Sequence, residues 1–394
     1  MGSKFIWVFV LGLVVTAAAF SLGSEEDDGE YDEEFEEGEH RKGKLLFPFV
    51  SIVRFANTDC PSTNTMNGTC LARRECNNLN GTSTGFCANR RGRCCIVSRS
   101  CGLNTNVNNT YFTSPGYPAA YAGGQPCSII VNRCNSNICQ LRIDFLDAML
   151  SQPNGDGVCA TDAITITGGN TVVPTLCGDN TGQTIYVDFN GNTAITITVT
   201  ATVATAFARR WNIRLTQLGC DCPGLAPNGC LQYYTGATGT ITSFNYGAAA
   251  NTALSASLVT GTRQLANTNY GICIRMEAGF CSIQYAQTAN DPFSFTITGD
   301  VEGADNTVLG TAVGALNDGA CTTDFVVIPN PTVVATGVAV GTDRFCGLGF
   351  VNVQSTLKPF VVYVVTDANE GATAVTPPDI ANRGFSLTYT QIGC

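Results

Sequence analysis

Twenty cysteines, all beyond residue 59 of a 394-residue chain, constrain this sequence more than any other feature. The number is even, and thiols at that density persist as disulfides only in an oxidising compartment. Zinc, the competing use, fails on ligand supply. The only histidine, His40, lies outside the cysteine-bearing region, and few of the cysteine spacings resemble the paired C-x2-C of a four-cysteine zinc site. The first 23 residues supply a matching address. Lys4, an apolar stretch from Phe5 to Phe20, and small residues at Ala17, Ala18, Ala19 and Gly23 follow the three-part layout of a secretory signal peptide, cleaved near Ala19 or Gly23. The apolar run is short for a membrane span, and Gly, Thr, Asn and Asp interrupt every later apolar run. The expectation is a secreted, extracellular chain without a membrane span. Three sequons fit export: Asn67-Gly-Thr, Asn80-Gly-Thr and Asn108-Asn-Thr.

The net charge of −10 misleads if read globally. Residues 25–39 hold 11 of the 31 acidic side chains, whereas 45–394 carry 20 acidic and 17 basic residues. The body is nearly neutral overall and lacks the basic stripe that nucleic acid requires. The acidic run cannot bury surface and is expected to be disordered. Arg41, Lys42 and Lys44 follow it at once. That juxtaposition reads either as a pro-segment removed by a protease or, more simply, as a solvated tail.

Period-two alternation marks the body as all-β. Ala163-Ile-Thr-Ile-Thr167 and Ala194-Ile-Thr-Ile-Thr-Val-Thr200 set Ile and Val on one face and Thr on the other, as half-buried strands do. Phe325-Val-Val-Ile328 and Phe360-Val-Val-Tyr-Val-Val365 are continuous β-branched and aromatic runs that suit central strands. Turn signals such as Asn154-Gly155, Asn190-Gly191 and Asp318-Gly319 separate the runs. Many short strands with frequent turns predict sandwiches.

An internal repeat sets the domain count. Cys159-Ala-Thr-Asp162 is matched by Cys321-Thr-Thr-Asp324, Cys177-Gly178 by Cys346-Gly347, and Thr216-Gln-Leu-Gly-Cys220 by Thr390-Gln-Ile-Gly-Cys394. Upstream, Cys134 and Cys139 parallel Cys273 and Cys281. Four landmarks in one order predict two copies of one domain. Between them lies Asp221-Cys-Pro-Gly-Leu-Ala-Pro-Asn-Gly-Cys230, a turn-rich joint expected to be tied by its own cysteines.

The first copy resembles a CUB domain. It begins Ser100-Cys-Gly102 and runs through Thr113-Ser-Pro-Gly-Tyr-Pro118, Tyr121, Cys127, Phe145-Leu-Asp147, Cys159-Ala-Thr-Asp162 and Leu176-Cys-Gly178 to Trp211-Asn-Ile-Arg-Leu215. The Ser-Pro-Gly-Tyr-Pro step before a Tyr and a Cys is the most specific element. The second copy is more divergent. It lacks that step, carries a longer insert at 299–320, and keeps the closing Asn382-Arg-Gly-Phe385 strand. The arrangement resembles secreted CUB proteins of arthropods. A module with Cys60, Cys70, Cys76, Cys87, Cys94 and Cys95 precedes the copies. Its Gly68-Thr-Cys-Leu71 and its final Cys94-Cys95 are similar to clip domains or a related small cysteine knot. The expected organisation is thus a signal peptide over 1–23, an acidic segment over 24–58, a clip-like module over 59–100, a CUB domain over 101–220 and a divergent CUB-like domain over 221–394.

The resemblance also implies bridges. For the module they are Cys60–Cys94, Cys70–Cys87 and Cys76–Cys95. For the copies they are Cys101–Cys127, Cys134–Cys139, Cys159–Cys177, Cys273–Cys281 and Cys321–Cys346. Cys220, Cys222, Cys230 and Cys394 stay unassigned.

Clip domains often precede trypsin-like proteases, so catalysis needs testing. His40 is the only candidate base and sits in the charged tail, and no Gly-Asp-Ser-Gly loop occurs. Cys–His and metalloprotease chemistry fail for want of histidine, and the acidic residues of the body are scattered among turns. The sequence therefore reads as a non-enzyme that requires no cofactor. Calcium is the one ion the resemblance implies, because many CUB domains hold it on loop acids and use it to order a surface that grips a partner's basic side chain. The matching positions in the second copy are Asp300 or Glu302, then Asp324, then Asp367. In the first copy they are Asp147 and Asp162, but the third loop, 201–207, has no acid. Turn capping is the alternative role for these aspartates. Arg209-Arg210-Trp211 reads as a strand entry with Trp211 in the core, and Tyr233-Tyr234 as either a contact patch or packing. The function expected is an extracellular adaptor that binds a protein or a glycan. A non-catalytic regulator of an immune protease cascade and a carbohydrate-binding matrix protein are the alternatives.

Overall fold

The computed structural model describes residues 54–62, 66–202, 208–247, 262–298, 307–368 and 382–394. The signal-peptide stretch, the acidic run with His40, Asp300, Glu302 and positions 203–207 lie outside the described residues. Among those described, no helix is long and apolar enough to cross a membrane.

Strands dominate because alternation dominates. In Ile195–Ala201, Ile195, Ile197 and Val199 are fully buried while the threonines between them face outward. Arg210–Gly219 repeats the pattern, placing Trp211, Ile213 and Leu215 inside. Trp211 packs tilted on Phe112 and edge-on against Tyr121, with ring centroids 5.8 and 5.4 Å away.

In the first copy, Thr110–Thr113, Arg210–Gly219, Ile138–Met149 and Thr184–Asp188 form part of an eight-stranded sheet. A second sheet runs Leu103–Thr105, Cys127–Val131, Ile195–Ala201, Asp162–Thr167. The larger sheet does not stop at the copy. Gly92–Arg99 of the cysteine-rich module pairs in parallel with Thr110–Thr113, so the module's strands Asp59–Pro61, Asn67–Leu71 and Thr82–Cys87 extend the same sheet. Among the described residues the second copy has two six-stranded sheets. One places Phe360–Val365 between Asn269–Ile274 and Phe325–Val327, and the other places Gly384–Gly393 between Thr238–Thr242 and Phe280–Gln287. The module's one α-helix among the described residues, Arg73–Asn78, is a single short turn-and-a-half held to the sheet by Cys76.

Nine disulfides pin these strands. In the module, Cys60–Cys94, Cys70–Cys87 and Cys76–Cys95 are bonded. The copies carry three each, in corresponding order: Cys101–Cys127, Cys139–Cys220 and Cys159–Cys177, then Cys230–Cys273, Cys281–Cys394 and Cys321–Cys346. Two expected pairs, Cys134–Cys139 and Cys273–Cys281, are not formed. Strand pairing is the reason. Ile138 sits opposite Gly219, which sets Cys139 beside Cys220 at a Cα separation of 4.9 Å. Phe280 sits opposite Gly393, which sets Cys281 beside Cys394 at 5.0 Å. Cys273 is left to the parallel strand that begins at Cys230. Cys134 and Cys222 stand outside the nine bridges.

The joint is accordingly not tied by its own cysteines. Buried side chains hold the copies together. Asn245 of the second copy, fully buried with φ +60°, donates its backbone N–H to Asn180 Oδ1 (3.0 Å), accepts from the Asp179 N–H (2.9 Å), and donates through Nδ2 to Gln152 Oε1 and the Arg263 carbonyl (both 2.8 Å). Asn is one of the few residues that adopt the left-handed region readily. Gly178 is required across from it, because a Cβ there would lie 2.0 Å from Asn245 Oδ1. Gln140 clasps Ala226 from both sides, donating to its carbonyl (3.1 Å) and accepting its N–H (2.9 Å). Most of the buried apolar residues of both copies form one contiguous cluster. Asn245→Ala is expected to destabilise the protein by about 3 kcal/mol, since it strands buried donors and acceptors at about 1–3 kcal/mol each. Denaturant unfolding measures this, and a loss below about 1 kcal/mol would show that the joint is held elsewhere.

Candidate functional site

The repeated Cys-x-x-Asp landmark places one acid per copy at the mouth of a strand. In the first copy Asp162 opens Asp162–Thr167 and is pinned by the nearby Cys159–Cys177 bridge. Its Oδ2 accepts from the Ser151 N–H and from Arg209 Nε, both at 2.8 Å, and the side chains of Asp162 and Arg209 are fully buried. Arg209 Nη1 also donates to the Ala122 carbonyl (3.2 Å). Successive strand residues face opposite ways, so Arg210 turns outward. There its Nε meets Asp147 Oδ2 at 2.7 Å, which raises the guanidinium's pKa further, and the Tyr117 hydroxyl donates to the same oxygen at 3.4 Å. Asp147 and Asp162 thus do not converge on one cation. Each is committed to its own arginine, and a buried guanidinium already neutralises Asp162. These residues do not fit a calcium ion in the first copy.

In the second copy Asp324, nearly fully buried, accepts the backbone N–H of Asp367 at 2.8 Å. The Asp367 loop is braced by Thr366, whose hydroxyl receives the Thr268 N–H (2.9 Å) and donates to the Leu265 carbonyl (2.7 Å). The Asp324 carboxylate thus lies against the backbone of Asp367, while Asp300 and Glu302 lie outside the described residues. Among the described residues no group of three His, Cys, Asp or Glu side chains is placed to hold a metal.

The sequons are not equivalent. Asn67 and Asn80 are exposed. The Asn108 amide is occupied: Oδ1 accepts the Asn109 and Gln217 N–H groups (2.9 and 2.7 Å), and Nδ2 donates to Asp59 (3.2 Å).

One surface was touched by the sequence reading only at Tyr233. Phe360–Val365 is central in its sheet, yet Tyr363 on it is 43% exposed. With Met276, 46% exposed, and Tyr233, Arg275 and Phe360, it lines a groove of about 250 Å³ beside the Cys230–Cys273 bridge. Arg275 is oriented there by Glu277 (2.8 Å), and Tyr233 stacks edge-on against Tyr186 of the first copy with centroids 6.0 Å apart. Tyr234, beside it, is mostly buried, and burial pushes its phenol pKa up. An all-apolar run has no period that could single out Tyr363 as outward.

Fold and bridges define a disulfide-bridged, all-β tandem of two related domains. The general CUB domain model matches residues 101–213 and the animal CUB domain model residues 227–392. The chain belongs to the CUB family, with two CUB domains in tandem. CUB domains are typically extracellular protein-binding modules and are generally non-catalytic. Among solved structures, the CUB1-EGF-CUB2 domains of rat MASP-1 match at 15% identity and a TM-score of 0.24, covering 75% of this chain and 99% of that one. The MASP-1 CUB2 domain bound to Ca2+ matches at 21% identity and a TM-score of 0.25, covering 29% and 98%. The extracellular region of zebrafish Gpr126/Adgrg6 matches at 13% identity and a TM-score of 0.25, covering 74% and 36%. Among curated proteins, none matches the sequence significantly.

Proposed function

We propose that this chain is a secreted, non-catalytic adaptor whose CUB tandem binds an extracellular protein. The observation that carries the reading is the groove beside Cys230–Cys273. Tyr, Met and Arg are enriched in protein interfaces, where a few such anchors dominate affinity. Here Tyr233, Met276, Tyr363 and Arg275 edge one concavity. The occupant that fits is a loop of a protein partner presenting an apolar side chain. The locked joint supports the reading, because a rigid tandem presents the groove with little ordering cost on binding. The test is affinity capture of extracellular proteins on the immobilised full chain, followed by titration of the captured partner. Tyr363→Ser and Met276→Ser change exposed side chains and are expected to weaken binding at least about tenfold without altering the melting temperature. Undiminished binding, or binding only to arrayed glycans, would overturn the groove as the protein site.

The same reading extends to calcium in the second copy, where Asp324 and Asp367 adjoin and a hard cation takes carboxylate oxygens. Bound calcium would order the loop that carries Asp367. Calcium is expected to raise the melting temperature of the full chain, and Asp324→Asn is expected to abolish that increment. No increment in the unmodified chain would sink the calcium mechanism and leave the adaptor reading calcium-independent.

A further inference from the structure

A cleft of about 370 Å³ lies where the cysteine-rich module meets the first CUB domain. Arg99, at the end of the module's strand Gly92–Arg99, and Arg133, after the strand Cys127–Val131, both line it, together with Asn104, Asn106 and Asn132. Among the described residues no acidic side chain lines it. Both guanidinium groups spend hydrogen bonds on neutral acceptors. Arg99 Nη1 donates to the Leu79 and Ser98 carbonyls (2.9 and 3.1 Å). Arg133 Nη1 donates to the Ile138 carbonyl (3.0 Å) and, more weakly, the Ser136 carbonyl (3.4 Å), while Nη2 donates to Asn192 Oδ1. Among the described residues neither arginine has a carboxylate partner, in contrast with Arg142, Arg209, Arg210, Arg214 and Arg275, each of which forms an ion pair. Burial pushes the Arg99 pKa down, as expected of a cation without a counter-ion.

The surroundings strengthen the case. Residues 54–100 hold seven arginines, no lysine and two acids, whereas 101–394 hold ten basic and 18 acidic residues. The near-neutral body is thus the sum of a strongly basic module and two acidic domains. Arg73 and Arg74 are exposed on the helix that ends beside Leu79, and Arg90 and Arg91 are exposed at the hairpin tip, at the other end of the strand from Arg99. An anion seated in a cleft lined by two guanidinium groups would be attracted by both. Arginine's planar fork suits oxyanions in particular, which it grips through paired N–H donors.

We propose that this cleft is an oxyanion site that takes a sulfate ester of an acidic extracellular polysaccharide. The asparagine side chains supply the neutral donors and acceptors that sugar hydroxyls need. Among the described residues only Leu79 and Val107 offer apolar wall, too little to seat peptide side chains. The site is distinct from the groove of the second copy and stands whichever protein the tandem binds.

The full chain is titrated with a sulfated oligosaccharide and its desulfated counterpart, at low and at physiological salt. The sulfated sugar is expected to bind, with affinity falling as salt rises. Arg133→Gln and Arg99→Gln are each expected to weaken binding roughly tenfold or more, the typical effect of losing a charge-assisted contact. Arg99 also braces the Leu79 carbonyl, so its variant is read only if the melting temperature is retained; Arg133, on a half-exposed turn, provides the second variant. Binding that survives both substitutions, or equal binding of the desulfated sugar, would overturn the proposal. Preferential binding of an acidic peptide such as poly-glutamate would overturn the sugar as ligand in favour of a protein. Inorganic sulfate that binds as tightly as the sugar would assign the cleft to the free ion instead.

Discussion

Arg209→Met is expected to destabilise the protein by about 3–5 kcal/mol, the usual cost of leaving one partner of a buried ion pair alone. Asp162 and Arg209 have no exposed side-chain surface, and among the described residues Asp162 Oδ1 has no hydrogen-bond partner. Without the guanidinium, only the Ser151 N–H remains among the described residues to stabilise the carboxylate, and a charge without a counter-ion in that environment is strongly penalised. The Ala122 carbonyl also loses its donor. The double variant Arg209→Met/Asp162→Leu is expected to recover most of the loss, because apolar groups of similar volume often replace a buried pair at little cost. Denaturant unfolding of the two variants decides the matter. A single variant within about 1 kcal/mol of the unmodified chain would mean that the pair is not what closes this end of the sandwich.

The paired substitution Cys139→Ser/Cys220→Ser is expected to cost about 4 kcal/mol, whereas Cys134→Ser should leave stability unchanged. The bridge spans 81 residues, so in the chain-entropy account it removes much of the freedom of the unfolded first copy. It also fastens the two central strands where Ile138 meets Gly219. Cys134 sits in the preceding turn and is exposed, with no bridge to lose. Thermal or denaturant unfolding of the two variants side by side is the check. An equal loss in Cys134→Ser would restore Cys134 as a bridge partner.

These two expectations mark where sequence reading stopped. The all-β class, the half-buried strand Ile195–Ala201, the repeated Cys-x-x-Asp landmark and the core position of Trp211 were legible, because each is written in local period or in repeated spacing. The role of Asp162 was not. Nothing local couples residue 162 to residue 209, and the ion pair exists only because two strands of different sheets end at the same place. The groove around Tyr363 was hidden for the opposite reason, since a run of six apolar residues carries no contrast between faces. The basic module was masked by summation, its arginines cancelled in the net charge by the acids of the CUB domains.

By itself, then, the sequence determined the disulfide-bridged β class, the two copies and their CUB character, since cysteine density, alternation and repeated spacing act over a few residues and survive without knowledge of neighbours. Tertiary structure alone decided which cysteines meet, which arginine neutralises which aspartate, how Asn245 locks the copies and which arginines line the cleft. Each of those depends on contacts between residues many tens of positions apart, and such contacts follow strand register, which the packing of whole sheets selects.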